Sequence, residues 1–230
     1  MKTTMLSYFI SQIQSMLYVA PAVLAAIIFH ECAHGWVSDR LGDPTPRQAG
    51  RLTLNPIRHL DLAGTLCLLF FHMGWAKPVP INARYYKNPR RGVILVSLAG
   101  PFANFILAFL SLLLYGLLVL YAPSASSFWR TAEIIVYYGA VINVGLGVFN
   151  LIPFPPLDGS HVLEEFIPAV GVFFSRFQSY GRLLLLLLLA SGALSRPLSW
   201  LDNAVLNGMW GIVYQILTRL PVMASESAVV

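Results

Sequence analysis

From residue 93 to residue 121 the chain runs without one charged side chain, and that stretch fixes the setting in which the rest must fold. A hydrocarbon core about 30 Å thick takes about 20 apolar helical residues to cross, and a helix that is apolar on every side has no place at a watery surface. Further apolar runs near 17–39, 131–152, 182–195 and 198–218 repeat the pattern. Of the 230 residues, 57% are hydrophobic and 11% charged, where an ordinary soluble domain carries about 25% charged residues. The expectation is an all-α polytopic membrane protein with five to six transmembrane helices, forming a single domain over 1–230. Leu62 to Trp75 is too short for a full span; it reads as part of a re-entrant or β-like segment near 62–85, tolerated where protein covers its backbone. Residues 1–17 show no small-residue cleavage site, and their pattern leaves open whether they lie at the interface or cross the membrane. Cys32 and Cys67 both sit in apolar runs and read as small apolar residues, with no disulfide framework.

Charge sets the orientation. Nine of the 15 Lys and Arg residues fall between 40 and 91: Arg40, Arg47, Arg51, Arg58, Lys77, Arg84, Lys87, Arg90 and Arg91. The positive-inside rule places that loop in the cytoplasm. A nucleic-acid-binding surface would gather its basic residues on a soluble face, and here they flank membrane spans instead.

One apolar run ends in chemistry. Ala20 to Phe29 leads into His30-Glu31-Cys32-Ala33-His34, an H-E-x-x-H pattern. Positions four apart share a helix face, so both imidazoles can bind one Zn²⁺ while Glu31 is placed to take a proton from water. Two histidines and a glutamate in an apolar helix are costly unless something compensates them. His34 and His30 precede Arg40 by six and ten residues, or roughly 9 and 15 Å at the helical rise. A helix leaving near 93 and another returning by 152 bring Asn150-Leu151-Ile152-Pro153-Phe154-Pro155-Pro156-Leu157-Asp158-Gly159 back to that same side. Asp158 is thereby a candidate third ligand, leaving a fourth position for water as catalytic zinc sites do. Taken alone, Pro-Pro-Leu-Asp-Gly reads equally as a turn or a helix cap; beside an intramembrane H-E-x-x-H the ligand reading carries more weight.

Several blocks together resemble the site-2 protease family of intramembrane zinc metalloproteases, in its small bacterial and archaeal members without an inserted PDZ domain. They are Phe29 to Gly35, Gly50 to His59, Trp75-Ala76-Lys77-Pro78-Val79-Pro80, Ala99-Gly100-Pro101-Phe102-Ala103-Asn104, and Phe149 to Pro153 with Asp158-Gly159. The resemblance implies one zinc per chain held by His30, His34 and Asp158, with Glu31 activating water. It implies a substrate-backbone or oxyanion contact for Asn150, and makes His59 a candidate at the edge of the site. The expected setting is a prokaryotic cell membrane, the active site facing the cytoplasmic side and the substrate a transmembrane protein cut within or near its membrane segment.

Other polar residues invite blander readings. His161 reads as an interfacial histidine or a partner to a ligand, and His72 as structural. Asn104 and Asn143 read as interhelical hydrogen-bonding residues, with Gly100-Pro101 as a kink or close-packing point. Ala76 to Tyr85 reads as strand or loop and offers an edge against which an extended substrate could pair. Two rival classes are a metal-binding membrane transporter and a non-catalytic membrane scaffold. No repeated halves and no ladder of carboxylates support the first, and the second would need a lost ligand or base, whereas His30, Glu31, His34 and Asp158 all stand in place.

Overall fold

The structure, a computed structural model, describes residues 2–61, 64, 76–123, 126–177 and 180–220, with side chains described from residue 19 onward. Its helices are α1 (Lys2–Arg40), α2 (Thr45–Gln48), α3 (Pro89–Tyr121), α4 (Ser127–Asn150), α5 (Asp158–Phe166), α6 (Pro168–Phe177), α7 (Gly181–Ala190) and α8 (Ser195–Leu217). Single 3-10 turns lie at Pro56–Arg58 and Ala83–Tyr85. Among the described residues there is no strand, only an isolated antiparallel bridge between Leu60 and Ala76.

Val19–Arg40, Pro89–Tyr121 and Ser127–Asn150 are long and apolar enough to cross a membrane. The pair Pro168–Arg176 and Gly181–Ala190 meets the same test jointly, bent by 87°, for up to four spans among the described residues. The expected helix near 198–218 is present as α8, but Asp202, Asn203, Asn207 and Gln215 dilute its apolar character, and it does not count with the other three. The run expected at 182–195 is shorter: α7 ends at Ala190, and Gly192 follows at φ +73°, in the left-handed region that favours glycine. Most of the short apolar piece 62–75 lies outside the described residues, as do His72 and Cys67.

Helix ends follow from local chemistry. Asn88 caps α3 by accepting the Arg91 N–H at 3.1 Å, with Pro89 in the first turn, where its missing N–H costs nothing. Gly42, at φ +103°, ends α1. Helix α3 is central: it packs against α1, α4, α5 and α8. Ala108, Val144 and Val148 form one apolar cluster between α3 and α4, and Leu112, Ala140, Val213 and Leu217 form a second with α8. Small residues at these contacts bring backbones close, the packing mode available where lipid and protein are equally apolar.

Candidate active site

Helix α1 supplies His30 and His34 one turn apart, both buried. The antiparallel helix α3 presents Val96, Gly100 and Asn104 to them at successive intervals of four residues, a single face. At one end of this face the His34 Nδ1–H donates to the Val96 carbonyl at 2.7 Å. At the other, His30 Nδ1 lies 2.6 Å from Asn104 Oδ1. In the middle Gly100 leaves room: a Cβ there would stand 2.4 Å from His34 Nε2 and 2.7 Å from His30 Nε2.

These contacts decide where the protons are. Asn104 Nδ2 donates to the Ala26 carbonyl at 3.0 Å and to Asn143 Oδ1 at 2.8 Å, while Asn143 Nδ2 donates to the Gly139 carbonyl at 2.8 Å. A carbonyl only accepts, so both amides are oriented and the Asn104 oxygen must face His30. His30 therefore carries its proton on Nδ1, as His34 does against Val96, and both Nε2 lone pairs point inward.

Asp158 arrives from the other end of the chain. The α4–α5 connection contains a cis Pro155–Pro156 bond, and α5 begins at Asp158. Gly159 lets this turn seat against the end of α4, since a Cβ there would lie 2.3 Å from the Leu151 carbonyl oxygen. The Asp158 Oδ2 then stands 3.1 Å from His30 Nε2 and 3.3 Å from His34 Nε2, which are 3.0 Å from each other. Among the described residues these three form the one cluster able to hold a metal ion.

The donor set fits zinc. With both Nδ1 atoms protonated, three electron-pair donors converge, and Asp158 Oδ2 is buried without a hydrogen bond. Ligands at about 2.0–2.1 Å around a tetrahedral ion stand roughly 3.3 Å apart, close to the distances found. A cation at this point satisfies all three.

Glu31, half-buried on α1, turns to another neighbour: its Oε2 accepts the Val79 N–H at 3.0 Å. Cys32 Sγ lies 3.2 Å from the Thr53 carbonyl, which also accepts from His59 Nε2 at 2.7 Å. His59 is fully buried, so it supports the loop against the motif helix and is not one of the clustered ligands. Asn150 Nδ2 donates to the Leu146 carbonyl of its own helix at 2.9 Å. His161 faces outward, 3.6 Å from Glu164.

At the end of α1 a second polar cluster pins the loops. Asp43 is fully buried and accepts from Ser38 Oγ at 2.8 Å, the Thr45 N–H at 3.0 Å and the Asn82 N–H at 2.7 Å. Burial works against its charge, but these donors prevail and hold its carboxyl below the usual range. The Ser38 proton is committed to Asp43, so Tyr86 donates to Ser38 at 2.7 Å; burial pushes the Tyr86 hydroxyl up and keeps that proton in place.

The 76–85 segment, read from the sequence as a pairing edge, is partly anchored to the protein itself. The segment is extended, but the Lys77 N–H goes to the His59 carbonyl, the Val79 N–H to Glu31, the Asn82 N–H to Asp43, and the Lys77 and Pro78 carbonyls to Arg51. These bonds anchor three of its N–H groups and two of its carbonyls within the protein, while Ile81 lies exposed. Asn104 goes further than the packing role expected of it, by orienting a ligand. The available signal was its place four residues after Gly100 in an apolar helix, where a polar amide needs a partner.

An H-E-x-x-H helix whose imidazoles are held by a second helix, completed by a carboxylate from the start of α5, defines a membrane-embedded metallohydrolase. The model of peptidase family M50 matches residues 18–125 and 115–191, and the chain belongs to that family, the site-2 proteases; it is an integral membrane zinc metalloprotease. Three similar proteins share the name "Putative zinc metalloprotease": YwhC of Bacillus subtilis, Rip2 of Mycolicibacterium smegmatis and MJ0611 of Methanocaldococcus jannaschii. YwhC is 39% identical over 75% of this chain and 80% of its own length. For Rip2 the figures are 31%, 81% and 72%, and for MJ0611 31%, 62% and 67%. No solved structure matches the chain.

Proposed function

We propose that this protein hydrolyses peptide bonds within or near the transmembrane segments of membrane-protein substrates, working as one domain with its active site open to the cytoplasmic side. The observation that carries the reading is the convergence of His30 Nε2, His34 Nε2 and Asp158 Oδ2 within 3.0–3.3 Å of one another, with both Nδ1 atoms held elsewhere. The cytoplasmic orientation is supported by the nine basic residues between 40 and 91.

His30, His34 and Asp158 hold the zinc, which when bound polarises a carbonyl and lowers the pKa of water toward about 7. Glu31 takes the proton of the attacking water as its oxygen bonds the scissile carbon. As the C–N bond breaks, Glu31 passes that proton to the leaving nitrogen. Asn104 and the Val96 carbonyl keep both imidazoles in the ligating tautomer throughout. A substrate helix must unwind locally to present its carbonyl, which is otherwise hydrogen-bonded within the helix. Asn150 reaches substrate backbone or the oxyanion by exchanging its bond to the Leu146 carbonyl for one to the substrate. His59 acts at the edge of the site, by shaping the loop beside Cys32.

The test is zinc content and cleavage of a model single-span substrate, measured together on purified protein in detergent. About one zinc per chain, lost in His34→Ala and Asp158→Ala and retained in an inactive Glu31→Gln, is the expected result. Metal-free wild type, or a Glu31→Gln variant that still cleaves, overturns it and favours a transporter or scaffold.

A further inference from the structure

We propose that Arg51 and the peptide group joining Pro78 to Val79 form a clamp that positions the Glu31 carboxylate for its proton transfers, an inference that rests on Glu31 being the general base. Its first support is in the sequence. In Pro78-Val79-Pro80 two of the three residues lack an N–H, so the triplet has one main-chain donor, and that donor is spent on Glu31 Oε2 at 3.0 Å.

The second support is what grips the other side of the same peptide plane. The Pro78 carbonyl accepts from Arg51 Nη2 at 2.9 Å. A trans peptide is rigid and points its C=O and N–H in opposite directions, so a cation holds one edge of this plane while a carboxylate holds the other. Polarising the carbonyl strengthens the opposite N–H as a donor. Arg51 also donates to the Lys77 and Arg58 carbonyls and is only 5% exposed. A guanidinium buried on neutral carbonyls, with no carboxylate partner among the described residues, is an expensive arrangement. Fixing this plane is what it accomplishes.

Third, the segment lies directly on the motif helix. A Cβ at Gly35, one turn after Glu31, would come within 2.8 Å of Leu52 Cδ2 and 3.2 Å of Val79 Cγ1. The Lys77 N–H is tied to the His59 carbonyl at 2.8 Å, which fixes the approach to the clamp. With Oε2 taken, Oε1 is the oxygen left to face the attacking water, and the long glutamate side chain is held in one orientation before substrate arrives. Arg51 and Val79 are positioning residues; neither touches the reacting atoms.

The decisive variant replaces the Val79 amide by an ester, through incorporation of the α-hydroxy analogue of valine, which deletes the N–H and preserves the side chain. Arg51→Lys is the second variant, keeping a charge but losing the planar fork. Zinc content, kcat and KM are measured on the full-length protein with a model single-span substrate, beside Glu31→Gln. The clamp predicts about one zinc per chain, KM unchanged, and kcat lowered by about tenfold to hundredfold in the ester form, as for a lost hydrogen bond to a charged group; Arg51→Lys shows the same division. An unchanged kcat, or a loss confined to KM or to zinc, overturns the clamp. A dead Glu31→Gln beside a fully active ester form overturns the clamp alone. A Glu31→Gln that cleaves overturns the base reading, and the clamp falls with it.

Discussion

His30 and Asn104 meet at 2.6 Å between Nδ1 and Oδ1, and this contact makes an intramembrane amide part of the candidate metal site. Asn104 is oriented by two acceptors, the Ala26 carbonyl and Asn143 Oδ1, so it offers His30 an oxygen and nothing else. Substituting Asn104 with alanine removes the acceptor and leaves Nδ1–H unpaired in an apolar interior. Zinc affinity is expected to weaken by about 10- to 100-fold, read by competition with a chelator. An Asn104→Ala protein that holds zinc as tightly as wild type rules the orienting role out.

Gly100→Ala sets propensity against space. In an ordinary helix the change gains up to about 1 kcal/mol. Here the new methyl would lie 2.4 Å from His34 Nε2 and 2.6 Å from His30 Cε1, so the imidazoles must turn away. The expected outcome is a helical protein, by circular dichroism, with zinc content well below one per chain and no cleavage. Gly208, with nothing within 4 Å of its virtual Cβ, is the matched control; alanine there leaves zinc and activity unchanged.

Gly159→Ala acts on the third ligand through the backbone. Its Cβ would stand 2.3 Å from the Leu151 oxygen and 2.7 Å from the Ile152 oxygen, atoms that cannot rotate aside. Helix α5 must shift and carry Asp158 with it, at a cost of about 1–3 kcal/mol in stability. Cleavage and zinc are expected to fall together, and a variant with normal kcat contradicts the account of this turn.

The Asp43 cluster yields a pH dependence with a definite sign. Its folded pKa lies below the unfolded carboxylate value of about 3.9, so its stabilisation is complete above that value. It fades as pH falls through the lower, folded value. Asp43→Asn should lower the melting temperature at pH 7 and narrow its gap to wild type below about pH 4. A gap that stays constant with pH would mean that Asp43 contributes by shape alone.

Much of the candidate site was legible because its candidate ligands announce themselves by spacing. His30 and His34 are one helical turn apart, and Asp158 follows from asking which later segment returns to the same side. Asn104, Gly100 and Val96 were harder to read, since their roles depend on the pairing of α3 with α1, and one of them works through a main-chain carbonyl that has no side-chain signature. Arg51 counted in the sequence only as one more positive charge outside the membrane; its burial on three carbonyls is a tertiary fact. Spans with no polar interruption were plain, while α8 shows how polar residues such as Asp202, Asn203 and Asn207 blur the count.

The route by which Asp158 reaches the two histidines has a consequence for the life of the chain. Among the described residues, His30 and His34 lie in the first of the three helices long and apolar enough to cross a membrane, and Asp158 follows the third. Under the proposed ligand set, a polypeptide still being inserted lacks its third donor until α3 and α4 have been made and the Gly159 turn has seated Asp158 against α4.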